Sequence, residues 1–463
     1  WVLYATALSI IVVMLLGLVL NLIVPAGAPV QPFSVAVLAP ALGLVVAALL
    51  LVTRLVPPAA KTVTIRLSTL SLLDPTPVFF LTLPPVTVVS LWLLNVLSVN
   101  QALVATLIVI SLLPLAVAAG AIPRRWYPLG VWCMALSMLY HKSLWTNYGF
   151  GGQGAVVKFW RLGQWDPTAN GLLENGVLFP VYARLLNVDI LTQMEIVNPV
   201  LVSGLIPVVM FVTFRRLTSD EFAFLGASVF VFAHPFYLQY PTAGRAATPV
   251  FFLVLLGSVL TDDSLRHVHR RLFKLLFAAG VAVTHYGTSY VILFTFAAAL
   301  VVLQVYSLLG SVLDRYGIGT RYDTGVAVEP DRDDDTASAT DGGTRYVRSV
   351  NRRLRDHLSG RRITAAFLLF YVTITVSWYV YTFEQRQFGV LVQFVVKTAQ
   401  TFLGVQNLGG GSTASRIATD YGSISISISK WLYGGLIVLI GIGLLRTHYV
   451  RFLSDERCSI PDE

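Results

Sequence analysis

Charge is the scarcest commodity in this chain. Asp, Glu, Lys and Arg make up only 12% of its residues, about half the ~25% usual in a soluble domain. So few ions cannot clothe a water-facing surface of this size, which excludes an ordinary soluble protein. Cysteine is almost absent as well: Cys133 lies in an apolar run and Cys458 in the charged tail. That pattern excludes a disulfide framework and a cysteine-rich metal cluster. Neither an initiator methionine nor a cleavable signal with its small-residue site opens the sequence, so Trp1 reads as the start of a trimmed fragment.

Hydrophobic residues take the place of the missing charge, at 56% of the chain with a mean hydropathy of +0.72. A helix rises about 1.5 Å per residue, so a bilayer core asks for roughly 20 consecutive apolar residues. Such runs recur along the sequence and predict an all-α, polytopic transmembrane bundle of about twelve spans. The first six are expected at Val2–Val24, Ser34–Val56, Val78–Leu97, Ala102–Ile122, Leu129–Trp145 and Ile196–Phe214. The rest are expected at Phe222–Tyr240, Thr248–Leu260, Leu272–Thr284, Ser289–Leu309, Thr364–Phe383 and Trp431–Leu445.

The net charge of +9 is spread as short basic patches between apolar runs. Membrane orientation requires that distribution, and a nucleic-acid-binding face does not. With both termini in the cytoplasm, Arg124/Arg125, Arg215/Arg216 and Arg270/Arg271 fall inside, as the positive-inside rule demands. Two long segments then face outward, Thr146–Glu195 and Glu384–Lys430. The cytoplasmic stretch VEPDRDDDTASATDGG, Val328–Gly343, has the composition of a disordered linker.

The first outer segment opens with YGFGGQGAVVKFWRLGQWDP, Tyr148–Pro167. Its glycines lack the strand-to-helix setting and the Lys-Ser or Lys-Thr of a phosphate loop, so they read as a sharp turn off the fifth span. Ala155–Leu162 sets Lys158 and Arg161 among apolar residues, which predicts a helix lying in the membrane interface. Asp166-Pro167 has the chemistry of a helix start. Asn175–Val188 predicts a second interfacial helix around Pro180. The segments found nowhere near this loop in sequence but on the same expected face are YPTAGRAATP, with Arg245, and VTHYGTSY, with His285 and Tyr286. Arginine grips phosphate oxygens in two-pronged fashion, and histidine donates or carries protons near neutral pH. Plainer roles exist for each: snorkelling for Arg245, a helix-end contact for His285, capping for Asp166, and backbone bonding beside Pro235 for His234.

GQWDPTANGLLENGVLFPVYARLLNV, YLQYPTAGRAATPVFFLVLL and VTHYGTSY together resemble an uncharacterised archaeal family of polytopic membrane proteins, over roughly Trp145 to Leu309. That family is in turn similar to the glycosyltransferase-C superfold, whose members take sugars from polyprenyl-phosphate donors on the outer face of the membrane. The resemblance implies a core at 129–309, with four added spans at 1–128 and a charged cytoplasmic loop at 310–363. A C-terminal part, 364–463, would carry an acceptor-holding outer loop at 384–430. It implies sugar transfer to a lipid or protein acceptor, with Arg245 on the donor phosphate. His285 and Tyr286 would assist at the phosphate or the acceptor, and Trp165 would stack on a sugar or anchor the loop.

Two departures stand out. Gly151, Gly152 and Gln153 replace acids the family carries before Trp-Asp-Pro, and Gln239 and Ala246–Pro249 replace those around its arginine. Such transfer needs a carboxylate, to take a proton or hold a metal. Asp166 is the first candidate base and Glu174 the second, while Gln153 can orient a hydroxyl but not deprotonate it. The sequence shows no clear ligand set for a divalent metal and leaves the cofactor open. The alternatives are an inactive relative that binds lipid-linked glycan or scaffolds other enzymes, and a lipid or solute transporter. Asn95, Asn198 and His234 are too scattered to draw a transport path.

Overall fold

The computed structural model describes residues 2–25, 28–55, 74–143, 153–233, 236, 240, 247–262, 264–315, 364–382, 389, 392, 393 and 396. Every regular element among them is helical. In chain order these are α1 (Val2–Ile23), α2 (Val35–Leu55), α3 (Pro75–Leu97), α4 (Gln101–Ala118) and α5 (Tyr127–Ser143). Next come α6 (Gln153–Leu162), a π turn at Glu174–Leu178 and α7 (Phe179–Leu186). The long α8 (Ile190–Phe214) passes through two π turns, Gln193–Val197 and Pro199–Ser203. The series continues with α9 (Asp220–Phe232), α10 (Ala247–Thr261), α11 (His267–Thr284), α12 (Tyr286–Arg315) and α13 (Ala365–Tyr381). Residues 1–391 form one unit and 392–463 a second, of which Val392, Gln393 and Val396 are described, helical and exposed.

Each expected span up to Thr364–Phe383 falls on one of these helices. Trp431–Leu445, the linker Val328–Gly343 and most of Glu384–Lys430 lie outside the described residues. Length and hydropathy together qualify 5 of the described helices to cross a membrane: α1, α2, α3, α4 and α8. Of the eleven expected spans that touch the described residues, five therefore coincide with helices long and apolar enough to cross, and the expected twelve are not shown. An apolar helix of 15 residues such as α10 reaches only about 22 Å, short of the ~30 Å hydrocarbon core.

Burial sorts the helices. α5 and α10 are apolar all round and sit inside, as such helices must; Val131, Cys133, Phe251, Phe252 and Leu255 have no exposed surface. α10 packs on α11 and α8, and α5 packs on α3, α8 and α9. α2 buries only Leu38 and presents the rest of its apolar surface outward, the mark of a lipid-facing helix.

The helix ends collect into two chemically distinct groups. At one end the starts of α1, α3, α5, α9 and α11 meet the ends of α8 and α10. Arg216 pairs with Asp262 at 2.7 Å and also donates to Ser258. Tyr4 reaches Ser258 and Asp262, and Ser264 donates to the other Asp262 oxygen at 2.6 Å. Arg124–Glu221, Arg125–Asp74 and Arg215–Asp220 are the other ion pairs among the described residues of this basic end.

The Arg216–Asp262 pair is the inner one, with side-chain exposures of 28% and 8%. Asp262→Ala should therefore cost about 2–4 kcal/mol, slightly under the ~3–5 of a fully buried pair. Arg215→Ala, which breaks an exposed pair, should cost under about 1 kcal/mol. Thermal unfolding in detergent micelles reads both. Equal shifts would show that the Asp262 network does not hold this end together.

Candidate functional site

The opposite end gathers the end of α1, α6, the Trp-Asp-Pro turn, the start of α10, the α11–α12 reversal and the end of α13. α6 is amphipathic as expected, with Lys158 and Arg161 exposed. Its apolar face, however, meets protein: Val156 and Phe159 are buried, Val156 beside Phe179, Ala183, Ile190 and Met194. Arg184 of α7 donates to the Trp160 carbonyl at 2.7 Å and lies over its ring, closing this layer. Gly163 ends α6 with a φ of +63°, the left-handed conformation glycine adopts without strain. Its carbonyl accepts the Phe33 N–H at 2.9 Å, which ties the loop to the α1–α2 connection.

Trp165 is buried rather than set in the interface. Asn21 of α1 holds its backbone from both sides, accepting its N–H at 2.7 Å and donating to its carbonyl at 3.0 Å. The indole N–H donates to the Asn170 carbonyl at 2.6 Å. The ring stacks on Trp378 of α13, centroids 6.1 Å apart and planes 10° from parallel. A Cβ on Gly176 would collide with that same Trp165 ring, so only glycine fits there. Asp166 does not start a helix. It accepts the Thr168 N–H at 3.0 Å and the Thr168 hydroxyl at 2.7 Å, closing a turn. These bonds, the hydroxyl first, hold its carboxyl below the usual carboxylate range.

The second expected interfacial helix is also corrected. Asn170 to Val181 is continuously buried, and the Glu174–Leu178 turn packs on α1 and α11. An apolar face reads alike in sequence whether lipid or protein covers it, and here protein does. Glu174 is completely buried. Its Oε1 accepts the Thr248 hydroxyl at 2.5 Å and the Thr248 N–H at 3.4 Å, so it caps the start of α10 from a distant part of the chain. Oε2 has no hydrogen-bond partner among the described residues. Burial pushes this carboxyl up to about 8, against the opposing pull of the Thr248 bonds.

His285 sits between α11 and α12, half-buried. Its Nδ1 accepts the Thr288 N–H at 3.1 Å and lies 3.0 Å from the Thr288 hydroxyl. The imidazole therefore caps the start of α12. As an acceptor at Nδ1, the neutral ring carries its proton on Nε2. Tyr286 stacks against His285 at 5.2 Å and meets Tyr379 edge-on. Leu172, Tyr290 and Tyr379 form a small buried cluster with Tyr286 and Trp378 beside it, and Trp378 donates to the Gly171 carbonyl at 2.9 Å.

The structure thus brings Trp165 and Glu174 together with Thr248 on one side and Tyr286, Tyr290 and α13 on the other. Arg245, His234, Gly151, Gly152 and the side chain of Gln153 lie outside the described residues. Among the described residues no three His, Cys, Asp or Glu side chains assemble as metal ligands, so no metal-holding set can be named there. Sequence reasoning missed Asn21, Asn170, Thr248, Trp378 and Tyr379. Tyr290 and Thr248 stood inside the quoted motifs and were legible as polar groups; Trp378 carried no local signal.

A family model described as a predicted membrane protein (DUF2206) matches residues 270–458. The match takes in the histidine motif and α13 but not Trp165, Asp166, Glu174 or Arg245. No curated protein and no solved structure matches the chain. The helices and this match agree on a membrane protein, and the family description names no activity.

Two outcomes follow from the geometry. The folded Glu174 value lies above its ordinary 4.5, so the folded chain holds a proton that the unfolded chain releases. Its stabilising share is complete below the lower value and is lost as pH rises through the upper one. The thermal midpoint should fall between about pH 5 and pH 8, and Glu174→Gln should flatten that fall. A fall that survives Glu174→Gln would place the titrating group elsewhere. Separately, His285→Ala should lose a helix cap worth about 0.5–2 kcal/mol, whereas His285→Asn should keep most of it. Unfolding midpoints that drop equally in both variants would contradict the cap.

Proposed function

We propose that this chain is a membrane glycosyltransferase-like protein that takes a sugar from a polyprenyl-phosphate donor, at the end of the bundle holding Trp165, Glu174 and His285. The observation that carries the reading is the Glu174–Thr248 hydrogen bond. It joins the segment after Trp-Asp-Pro to the helix that follows the arginine motif. The aromatic contacts of Leu172 and Trp165 with Tyr290, Tyr379 and Trp378 extend the same junction to the histidine motif.

Arg245 precedes Thr248 by three residues, and three residues of chain span at most about 10 Å. That reach suits a guanidinium that grips the donor phosphate close to Glu174 and stabilises charge on the leaving group. His285 and the phenol of Tyr286 assist at the phosphate or the acceptor in this reading. The proton-handling carboxyl in this scheme is Glu174 and not Asp166. A group held below the ordinary range is a weak base, while one near the working pH moves protons most effectively. Glu174 reaches an acceptor hydroxyl only when its turn opens, because it has no exposed surface at rest. The basic end then faces the cytoplasm, the site end faces outward, and the acceptor is a lipid or protein-linked glycan.

A second reading has its own observation. Asp166 is bonded into its own turn and Glu174 is sealed, which suits a protein that binds lipid-linked glycan without turnover. Mass profiles of lipid- and protein-linked glycans in the native host separate the two, with variant protein levels matched to wild type. For a transferase, both Arg245→Ala and Glu174→Gln shorten the glycan by one sugar and accumulate the lipid-linked donor. For a binder, Glu174→Gln leaves the profile unchanged. A profile unchanged in both variants would overturn the transferase assignment.

A further inference from the structure

Among the described residues, the basic end carries cations beyond those held in its ion pairs. Asp74, Asp220, Glu221 and Asp262 are each already paired with an arginine. The first turns of α11, RHVHRR, contribute Arg266, His267, His269 and Arg271, all exposed. This helix has no acid in its first turn, and Arg266 stands at its N-cap without a side-chain cap bond. Cations there oppose the partial positive charge of the helix start, a local cost that an external anion would offset.

The same surface is apolar between its charges. Val268, Leu272 and Leu275 are 73%, 49% and 36% exposed. At about 100° per residue, they form one stripe along the helix, with Arg271 on its flank and His267 one turn before Arg271. The opposite face, with Phe273, Phe277 and Val281, packs into the bundle. An exposed apolar stripe that starts among cations, on a helix running into a membrane protein, has the layout of an interfacial lipid contact. A solvated charge run would not need the exposed Val268 and Leu272 beside it.

We infer that the start of α11 is a docking surface for anionic lipid headgroups, with Arg266 and Arg271 meeting the phosphate and Val268, Leu272 and Leu275 lying along the acyl chains. The surface is separate from the site end and does not depend on the function proposed for it. α10 separates Thr248, at the site end, from Asp262, just before α11.

Native mass spectrometry of the delipidated full chain tests the inference, titrated in parallel with phosphatidylglycerol and phosphatidylcholine. Wild type should prefer phosphatidylglycerol. Each arginine near an anionic surface contributes about fivefold in affinity, so Arg266→Gln/Arg271→Gln together should weaken phosphatidylglycerol binding about 25-fold. Binding of phosphatidylcholine should not change. Arg161→Gln, exposed on α6 at the other end, should leave both lipids unaffected, which controls for loss of charge as such. Equal binding of the two lipids by wild type, or an unaltered preference in the double variant, would overturn the assignment. So would displacement of phosphatidylglycerol by inorganic phosphate at equal concentration, since that would mark a site for free anions.

Discussion

One hydrogen bond, from the Thr248 hydroxyl to a carboxyl oxygen of Glu174, sets the arrangement of the site end. The carboxyl is fully buried, and an ionised group in such a place would cost several kcal/mol, so Glu174 keeps its proton near neutral pH. Keeping it there fixes the π turn Glu174–Leu178 against the start of α10. The turn in turn places Gly176 under the Trp165 ring, where no side chain fits. Trp165 then stacks on Trp378, and α13 is brought to the loop from more than two hundred residues away. A bond between two small groups thereby determines how three separate stretches of sequence meet.

The two ends of the bundle solve the problem of polar groups in a membrane protein differently. At the basic end, charges are matched: Asp74, Asp220, Glu221 and Asp262 each take an arginine, and further cations remain exposed on α11. At the site end, charge is nearly absent from the interior, and hydrogen bonds to backbone do the joining. Asn21, Asn170 and Trp378 each bond carbonyl or N–H groups that the irregular Trp165–Leu173 segment leaves unpaired. Non-helical backbone inside the bundle persists because protein satisfies it. The glycosyl-transfer reading draws on the same economy, since a dry carboxyl and a helix-capping imidazole are both held in place by hydrogen bonds to neighbouring chain.

Much of the fold could be read from hydropathy because a run of apolar residues long enough to cross a bilayer has few other uses. Val35–Leu55 is such a case, and its exposure agrees with a lipid-facing role. The number of full spans was harder to read. α9 and α10 are apolar yet short, and a hydropathy window does not separate a short buried helix from a membrane-crossing one. The segment between α5 and α8 failed for a related reason. Asn175–Val188 has the amphipathic pattern of an interfacial helix, and nothing local distinguishes lipid from α1 as its cover. Glu174 offered a partial signal, a lone acid inside LLENGVLF, whereas Asp166 drew more weight from its place beside Trp165 and Pro167. The hydrogen bonds of Thr168 explain the reversal, for they stabilise Asp166 as an anion and leave it a weak base. The pairing of Trp165 with Trp378 had no counterpart in local pattern at all.

The central proposal is that the loop after Trp165, the start of α10 and the α11–α12 reversal together bind a polyprenyl-phosphate sugar. Photo-crosslinking tests it most directly: a diazirine-bearing polyprenyl-phosphate sugar is bound to the purified full chain, and the labelled peptides are mapped. The account predicts adducts within Trp165–Asn175, around Arg245–Thr248 and within His285–Tyr290, all suppressed by unlabelled donor. Competable adducts confined to α11 or α2, with none in these three segments, would contradict it.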